Sequence, residues 1–314
     1  MAHPQHTPPL ASLEEAVTVL FCLIDDAYRL LNPGAGGYAS LKRLSDSEVI
    51  TLALLQQLRG VESERSFLRD AQRFFSHLFP GVARLHCSSF HRRVRRLRRF
   101  LEPLRRTLLG ELVGDPETLI VDSTLLVDST LLWVLHPRQV GQSAGWAASS
   151  SGAAWAKWGT FSVYGVKLHL LCSTNRVPLS YELTAANAAE VLLVRELLAG
   201  ADLDEDGVAR SLLGDLAYRS EALREELAAT GVLLATERAD RRPRIRQQAE
   251  VCFAALKGVF GMGATLATTL VGLATRIAAK VAAYTYGFYV NRLLGKSQGR
   301  IKELFGPDIL ATLI

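Results

Sequence analysis

The sequence predicts an all-helical N-terminal domain followed by an α/β domain in which a mixed β-sheet is flanked by helices. From Leu13 to Leu112, apolar residues recur at spacings of three and four, which is typical of amphipathic helices. After a turn-forming cluster at 114–117, short apolar runs alternate with helical patterns. The predicted units are a disordered tail, a helical domain, and an α/β domain with a C-terminal helix: residues 1–11, 12–114 and 115–314.

Local signals place the helices of the N-terminal domain. Ser45–Glu48 has the spacing of a capping box, in which two side chains bind backbone amides at the start of a helix. We expect this helix to run to about Leu58. Another helix is predicted from Glu64 to Leu78, and Ser88-Ser89 is expected to cap a third, basic helix.

Apolar runs that end at turns or polar residues define the α/β domain. Because Val140–Gly159 is rich in glycine, serine, alanine and tryptophan, we interpret it as a loop between the first two strands. The predicted elements are strands ending at Asp122, spanning Tyr164–His169 and ending near Asn187, a helix at Glu190–Leu198, a strand at Ser211–Gly214, a helix at Glu221–Ala228, a strand at Val232–Thr236, and helices at Ile245–Phe260 and about Ala264–Leu294.

Composition narrows the class of protein. Nearly half of the residues are apolar, so the chain is globular, and the arginines that contribute to its formal charge of +5 crowd one segment. A concentrated basic surface indicates a polyanionic partner. The four cysteines lie far apart, and the N-terminus shows no export signal. These features predict reduced thiols and a cytosolic protein with no membrane partner.

Three acidic residues carry the chemical prediction. Asp122 and Asp215 each end an apolar run, and Glu250 lies inside an amphipathic helix. Two carboxylates at strand ends and one on a helix can converge on divalent ions, which prefer oxygen ligands. Such ions can stabilise the attacking and leaving oxygens of a phosphodiester. The sequence therefore predicts a metal-dependent enzyme that acts on DNA.

The helix that carries Glu250 has a second signal. Offsets of four and eleven residues turn roughly 40° and 20° beyond whole revolutions of an α-helix, so Arg246, Glu250 and Lys257 share one face. Phe253 and Leu256 lie on a neighbouring apolar face that would anchor the helix on the sheet. The alternative is an ordinary surface ion pair between Arg246 and Glu250. The upstream aspartates, in the order expected of a catalytic triad of acids, favour the catalytic interpretation.

From Leu119 to about Leu293, the order of motifs resembles the DDE-type insertion-sequence transposases, whose catalytic core is ribonuclease-H-like. The chain departs from the family pattern at two positions, with Pro243 where the helix signature carries tyrosine and Glu190 where many relatives carry aspartate. The matching motifs are Asp122-Ser-Thr, Tyr164-Gly-Val-Lys-Leu-His169, Leu183-Thr-Ala-Ala-Asn187, Gly214-Asp-Leu-Ala-Tyr218, and the spaced set Arg246, Glu250 and Lys257.

The resemblance implies an enzyme that binds the ends of its own element and catalyses DNA cleavage and strand transfer. It implies two Mg²⁺ ions held by Asp122, Asp215 and Glu250, with Mn²⁺ able to substitute. The implied partner is double-stranded DNA, as transposon ends and as target, bound by a homodimer at the bacterial nucleoid. Residues expected to contact DNA near the scissile bond are Lys167, Tyr218, Arg219, Arg246 and Lys257; packing and helix capping are the alternative roles of Tyr218 and Arg219.

The basic helix is the predicted DNA-binding element of the N-terminal domain. Glu102 is the only acid between Arg84 and Arg106, so the arginines would repel one another without a counter-charge. Solvation alone is the alternative, and whether the helix reads bases in a helix-turn-helix arrangement stays open. The arginines are Arg92, Arg93, Arg95, Arg96, Arg98, Arg99, Arg105 and Arg106.

A tandem repeat leaves the first catalytic acid ambiguous. Val-Asp-Ser-Thr-Leu-Leu occurs twice in succession, so Asp122 and Asp128 are both candidates. We favour Asp122, because a buried first strand is registered by its apolar pattern and the following loop absorbs added residues more easily. Since the repeat can also displace the active-site strand, two other functions stay open: a non-catalytic DNA-binding protein derived from a transposase, and a ribonuclease-H-like structure-specific nuclease.

Overall fold

The structure is a computed structural model that describes residues 13–34, 42–114, 116–127, 154–158, 161–201, 203, 209–236, 243–262, 267 and 269–305. The chain divides into two compact units, which are Met1–Leu108 with Ala278–Ile314, and Leu109–Ile277. This grouping of the C-terminal residues with the N-terminal helices differs from the sequence prediction, which places the whole C-terminal helix in the α/β domain. Long-range hydrogen bonds within the first unit explain the difference, because Tyr286 donates to Leu104 O at 3.2 Å and Arg59 donates to Phe305 O at 3.3 Å.

Among the described residues, the elements before residue 117 are helices, and after it strands occur together with helices. The helices are α1 Leu13–Leu31, α2 Asp46–Leu58, α3 Glu64–Phe74, α4 Cys87–Arg106, α5 Leu109–Val113, α6 Val194–Ala201, α7 Glu221–Ala229, α8 Pro243–Gly258, α9 Leu270–Leu293 and α10 Lys302–Phe305. The strands are β1 Thr118–Val127, β2 Ala154–Trp158, β3 Phe161–Ser173, β4 Pro178–Ala185, β5 Arg210–Gly214 and β6 Val232–Thr236. Short 3-10 helices lie at Pro80–Arg84, Glu190–Leu193 and Leu216–Tyr218.

Helix α2 forms the centre of the first unit. It is buried along nearly its whole length, and α1 and α4 pack against it. The predicted capping box is confirmed, since Ser45 Oγ accepts from Glu48 N at 3.0 Å and Glu48 Oε2 accepts from Ser45 N at 2.5 Å. The start of α2 is therefore determined by a local sequence signal, and its burial by the apolar helices around it.

Two details of the helical unit differ from the prediction. Helix α3 ends at Phe74 instead of Leu78, because buried Phe75 leaves helical geometry (φ −121°, ψ 9°) and turns the chain. Helix α4 begins after His86 instead of being capped by Ser88-Ser89, and His86 Nδ1 accepts from Ser88 N at 3.3 Å. Histidine is a less common cap than serine, so the local preference favours the wrong residue.

Asp46, at the start of α2, joins three parts of the first unit. Its carboxylate accepts from Lys42 Nζ at 2.7 Å and from Arg93 on α4 at 2.7 Å. Burial acts to raise the pKa of this carboxyl, but the hydrogen bonds from Lys42 and Arg93 outweigh it and hold the pKa below its usual value. Arg93 also donates to Leu44 O at 3.0 Å and Ser45 O at 3.1 Å, so α4 is fastened to the start of α2.

The second unit is built on a six-stranded mixed sheet. Its main path runs β2-β3-β1-β5-β6, and β4 also pairs with β3. Strand β3 is antiparallel to β1, β2 and β4, whereas β5 is parallel to both β1 and β6. Strand β1 is thus the central strand, where the antiparallel and parallel parts of the sheet meet.

Helices cover both faces of this sheet. Side chains alternate between faces along each strand, so Leu119 and Val121 of β1 point to one face and Ile120 and Asp122 to the other. On the first face, Leu119, Val121 and Leu171 form a core with α6 and α7. On the second face, α8 packs against β1 and β3.

Strand β2 corrects the sequence interpretation of Val140–Gly159 as a loop. Residues 154–158 pair with β3 in antiparallel register, and Trp155 lies opposite Tyr164. Their rings meet edge to face with centroids 5.5 Å apart. The glycine- and serine-rich composition of the segment predicts a loop. The strand depends on a cross-strand aromatic contact, and such a contact cannot be inferred from the sequence without knowing the partner strand.

The apolar stretch between 258 and 275 is divided between two helices, since α8 ends at Gly258 and α9 begins at Leu270. Across the described ranges, every helix falls short of the length or the apolar character that crossing a membrane would require.

We expect Asp46→Asn to lower the free energy of unfolding by about 2–3 kcal/mol, because the charged donors on Lys42 and Arg93 lose the negative charge of their acceptor. Since the folded pKa of Asp46 is depressed, the stabilisation is present above the unfolded carboxyl pKa and is lost as pH falls through the folded pKa. Urea unfolding of both proteins across acidic pH measures this. Asp26→Asn, at an exposed position, is the matched control and should change stability by no more than roughly 0.5 kcal/mol. Equal effects of the two substitutions would contradict the proposed importance of Asp46.

Candidate active site

Asp122 and Asp215 occupy equivalent positions on adjacent parallel strands. Strands β1 and β5 pair in register up to Ile120 and Leu213, and each aspartate lies two residues beyond its strand's member of that pair. Because side chains two residues apart point to the same face, both aspartates belong to the sheet face that α8 covers. Neighbouring strands are about 4.8 Å apart, so this register places the two carboxylates side by side.

The turn after β5 directs the second carboxylate. Asp215 caps the 3-10 helix Leu216–Tyr218, and its Oδ1 accepts from Ala217 N at 2.9 Å. Asp122 is half-buried within β1, opposite Leu170 of β3. One aspartate is thus positioned by strand pairing and the other by its cap hydrogen bond.

Helix α8 brings a third carboxylate and a cation to the same face. Its buried side carries Ala249, Cys252 and Leu256, while Glu250 and Lys257 are exposed. The Lys257 side chain is exposed overall but its amine is partly buried, which lowers its pKa, while the negative charge of Asp122 acts in the opposite direction. Lys257 is therefore within electrostatic reach of Asp122. Arg246 belongs to α8, but its side chain lies outside the described part of the structure.

The donor chemistry of this face fits a divalent metal only in part. Carboxylate oxygens on three adjacent elements are the ligands that Mg²⁺ prefers. In the part of the chain that the structure describes, however, no three histidine, cysteine or acidic side chains are close enough together to hold an ion. Asp122 and Asp215 are suitable metal ligands by their positions in the strand register, and Glu250 is suitable because its helix packs against β1. Asp128, the other candidate for the first acid, lies outside the described residues.

Lys167 and Tyr218, both expected to contact DNA, have partners or packing contacts within the protein. Lys167 pairs with Glu190, Nζ to Oε1 at 3.0 Å, and also donates to Ala188 O at 3.2 Å. It shares the parity of Leu171 in β3, which places it on the face opposite Asp122. Tyr218 is buried in the core of that same face, so its side chain has the packing role. Arg219, next to it, is exposed.

His169 has a structural role, which agrees with a metal-dependent mechanism that requires no histidine as general base. It is fully buried, and Thr184 Oγ1 lies 2.9 Å from its Nε2. Burial, with a further contribution from the charge of Lys167, lowers the pKa of His169 to about 4. The ring is therefore neutral at neutral pH and contributes a hydrogen bond to the sheet.

In the first unit, the arginines of α4 fall into two groups. Three are held by acids at 3.4 Å or less, Arg93 by Asp46, and Arg105 and Arg106 by Glu102. Arg96 also lies 4.0 Å from Asp46, but it stays 63% exposed. Arg105 is completely buried, and Arg93 is only 18% exposed. These arginines hold the helix in place. The counter-charge from Asp46 was missed in the sequence because Asp46 lies on another helix.

The other arginines of α4 form an exposed face. Arg92, Arg95, Arg96 and Arg99 lie at helical offsets of three, four and seven, within an arc of roughly 100°. Arg92, Arg95 and neighbouring Arg98 make no ion pair with any residue in the described ranges. The opposite side of the helix packs into the core through Phe90, Leu97, Leu101 and Leu104. We call Arg92, Arg95, Arg96 and Arg99 the α4 arginine face.

Comparison with known proteins identifies a family. A sequence-family model described as the transposase DDE domain matches residues 115–286, more than half of the chain. No curated protein matches the chain. Two solved structures are similar at low identity. A piggyBac transposase synaptic complex with hairpin DNA is 11% identical with a TM-score of 0.42, and the match covers 98% of this chain and 81% of that one. A pre-cleavage Mos1 transpososome is 12% identical with a TM-score of 0.31, and the match covers 91% of this chain and 98% of that one. These TM-scores are too low to support an argument about fold or activity.

We expect Asp122→Asn to lower the pKa of Lys257 further, because burial of the amine remains while the attracting charge is removed. NMR titration of ¹³C-methylated lysines measures this without any assay of activity. Glu226→Gln, which removes a carboxylate paired with Arg195, should leave the Lys257 titration unchanged. If Lys257 titrates identically in the Asp122 variant and the wild type, the amine is not beside Asp122.

Proposed function

Because this chain belongs to the family of transposases with a DDE domain, we propose that it binds the ends of an insertion sequence and catalyses DNA strand cleavage and strand transfer. One observation carries the catalytic part of the proposal: Asp122 within β1 and Asp215 at the end of β5 each lie two residues beyond a register pair of these adjacent parallel strands, and α8, which bears Glu250 and Lys257, packs against β1. Antiparallel strands followed by strands parallel to β1, with helices on both faces, support a ribonuclease-H-like core.

In this proposal, Asp122, Asp215 and Glu250 hold two Mg²⁺ ions, for which Mn²⁺ can substitute. Bound ions of this kind stabilise the attacking and leaving oxygens of a phosphodiester. Strand pairing at Asp122 and the cap hydrogen bond at Asp215 orient the two carboxylates before DNA arrives. Lys257 contributes a compact positive charge to a phosphate near the scissile bond, and Arg246 and Arg219 contribute forked donors. A homodimer would hold two ends together.

The strand register favours Asp122 over Asp128 as the first acid. Asp215 lies two residues beyond Leu213, and Asp122 is the residue of β1 at the matching height. Six residues of extended strand span about 20 Å, whereas a metal ion reaches its ligands at about 2.0–2.6 Å. In an unbroken strand, Asp128 would be too far from Asp215 to share an ion with it.

We expect Asp122→Asn and Glu250→Gln each to abolish Mg²⁺-dependent cleavage of end-containing DNA, because each keeps the side-chain shape and removes a ligand charge. Asp128→Asn is the matched control within the repeat and should retain cleavage. Cleavage of labelled DNA by purified variants, with circular dichroism to verify folding, measures this. Loss of activity in the Asp128 variant alone would move the site to the second repeat.

The same assay separates the alternative functions. A wild-type chain that binds ends and never cuts them would be a non-catalytic DNA-binding protein, the function expected if the tandem repeat displaces the active-site strand. Cleavage without joining of a 3′ end to target DNA would indicate a structure-specific nuclease. Joining of the 3′ end supports the transposase.

We further propose that the α4 arginine face binds the DNA backbone, because its four arginines are exposed and, within the described residues, only Arg96 among them lies within 4.0 Å of an acid, Asp46. Replacing Arg92, Arg95 and Arg99 with alanine should reduce the salt dependence of DNA binding by up to about 0.9 log units per lost phosphate contact. Filter binding at several salt concentrations measures the slope. The triple variant of Arg195, Arg224 and Arg300, which are paired with acids, removes the same charge and should keep the slope.

The Arg93→Ala variant distinguishes arginines that hold α4 in place from arginines proposed to contact DNA. Since Arg93 is bound to Asp46 and two carbonyls, its loss should destabilise the first unit and leave the salt slope of the folded protein nearly unchanged. A slope that falls as much for Arg93→Ala as for Arg92→Ala would contradict the division of α4 into two groups.

A further inference from the structure

Helix α3 carries a second line of arginines that the sequence motifs do not include. Arg65, Arg69 and Arg73 follow one another at intervals of four residues, and all three are exposed. Four residues advance a helix by about 6 Å and turn it roughly 40° beyond a full revolution, so the three form one gently winding face about 12 Å long. The helix is buried on its other side through Phe67, Leu68 and Ala71.

The acids of α3 are directed elsewhere. Glu64 lies 3.1 Å from His91 Nδ1 on α4. Burial lowers the pKa of the Arg59 guanidinium and the charge of Asp70 opposes this, which places Asp70 near Arg59. Arg65 and Arg69 form no ion pair with any residue that the structure describes, and the Arg73 guanidinium lies over the Phe74 ring, 5.0 Å from its centroid. The line of charge on α3 therefore has no counter-charge within the described chain.

Contacts at both ends of α3 hold this face in place. Ser63 caps the helix by accepting from Ser66 N at 3.3 Å. Near the other end, the Gln72 side-chain amide donates to Val82 O and Leu85 O, each at 3.3 Å. A helix fixed in this way loses little backbone entropy on binding, so the backbone positions of its arginines are preorganised for a ligand.

We propose that the arginine face of α3 is a second binding surface for the phosphate backbone of duplex DNA, separate from the α4 arginine face. Guanidinium groups match phosphate oxygens as bidentate forks. A face about 12 Å long spans three to four phosphates of one strand at about 3.4 Å of axial rise each. This proposal rests on the proposed DNA-binding function and adds a site to it.

The two faces point in different directions on the first unit. Phe67 meets Phe90 of α4, with ring centroids 6.5 Å apart. Phe67 is about 160° around α3 from the centre of the arginine line, by helical geometry. Because α4 lies on that side of α3, the α3 arginines and the α4 arginine face contact different stretches of backbone.

The experiment compares salt slopes of DNA binding for full-length variants. The triple variant R65A/R69A/R73A should have a slope shallower than wild type by up to about 0.9 log units per lost phosphate contact, on end-containing and random duplex alike. The charge-matched control is the triple alanine variant of Arg195, Arg224 and Arg300 and should keep the wild-type slope. R65K/R69K/R73K should restore most of the slope, since lysine also neutralises a phosphate.

Each outcome decides the proposal. An unchanged slope in R65A/R69A/R73A, with wild-type binding intact, overturns the α3 site and leaves the proposed function standing. A loss confined to end-containing DNA with an unchanged slope also overturns it, because that pattern belongs to base contacts. A wild-type chain that binds no duplex DNA overturns both. If the triple variant does not fold, the single variants R65A, R69A and R73A replace it, and unchanged slopes in all three overturn the α3 site.

Discussion

The parallel pairing of β1 with β5 is the constraint on which the candidate active site depends. It fixes Ile120 opposite Leu213, and the two aspartates follow at the same height on the same face. A slip of one residue in either strand would turn its aspartate into the core on the other face, where Leu119 and Val121 pack. The apolar residues that register the strands therefore also determine the position of the acids.

A close approach of backbone and side chain secures the end of β5. A Cβ atom on Gly214 would meet side-chain atoms of both Tyr218 and Val121 at 3.1 Å. The glycine thus allows Tyr218 to pack beside β1 directly after Asp215 has capped the turn. Part of the Gly-Asp-Leu-Ala-Tyr motif is therefore structural: Tyr218 packs against the core and stabilises the turn, and the turn orients the carboxylate of Asp215.

Sequence reasoning succeeded where the signal was local. The capping box at Ser45 and the strand ending at Gly214 depend on neighbours along the chain, and both are present. It failed where a distant partner decides the role of a residue. Arg93 is bound by Asp46, Lys167 by Glu190, and β2 is stabilised by pairing with β3. The register of Asp122 with Asp215 also depends on a distant partner, because strand pairing is a tertiary property that no motif spacing specifies.

The tandem repeat shows why register matters more than motif. An offset of six residues is even, so alternation along an unbroken strand would direct Asp122 and Asp128 to the same face. The two copies of Val-Asp-Ser-Thr-Leu-Leu are identical, and alternation along the strand does not distinguish their aspartates. The neighbouring strand distinguishes them, because β5 ends at Gly214 and its capping aspartate follows at once. The first acid of the proposed site is therefore the aspartate that lies level with the end of the partner strand, and β1 continues beyond that point to Val127.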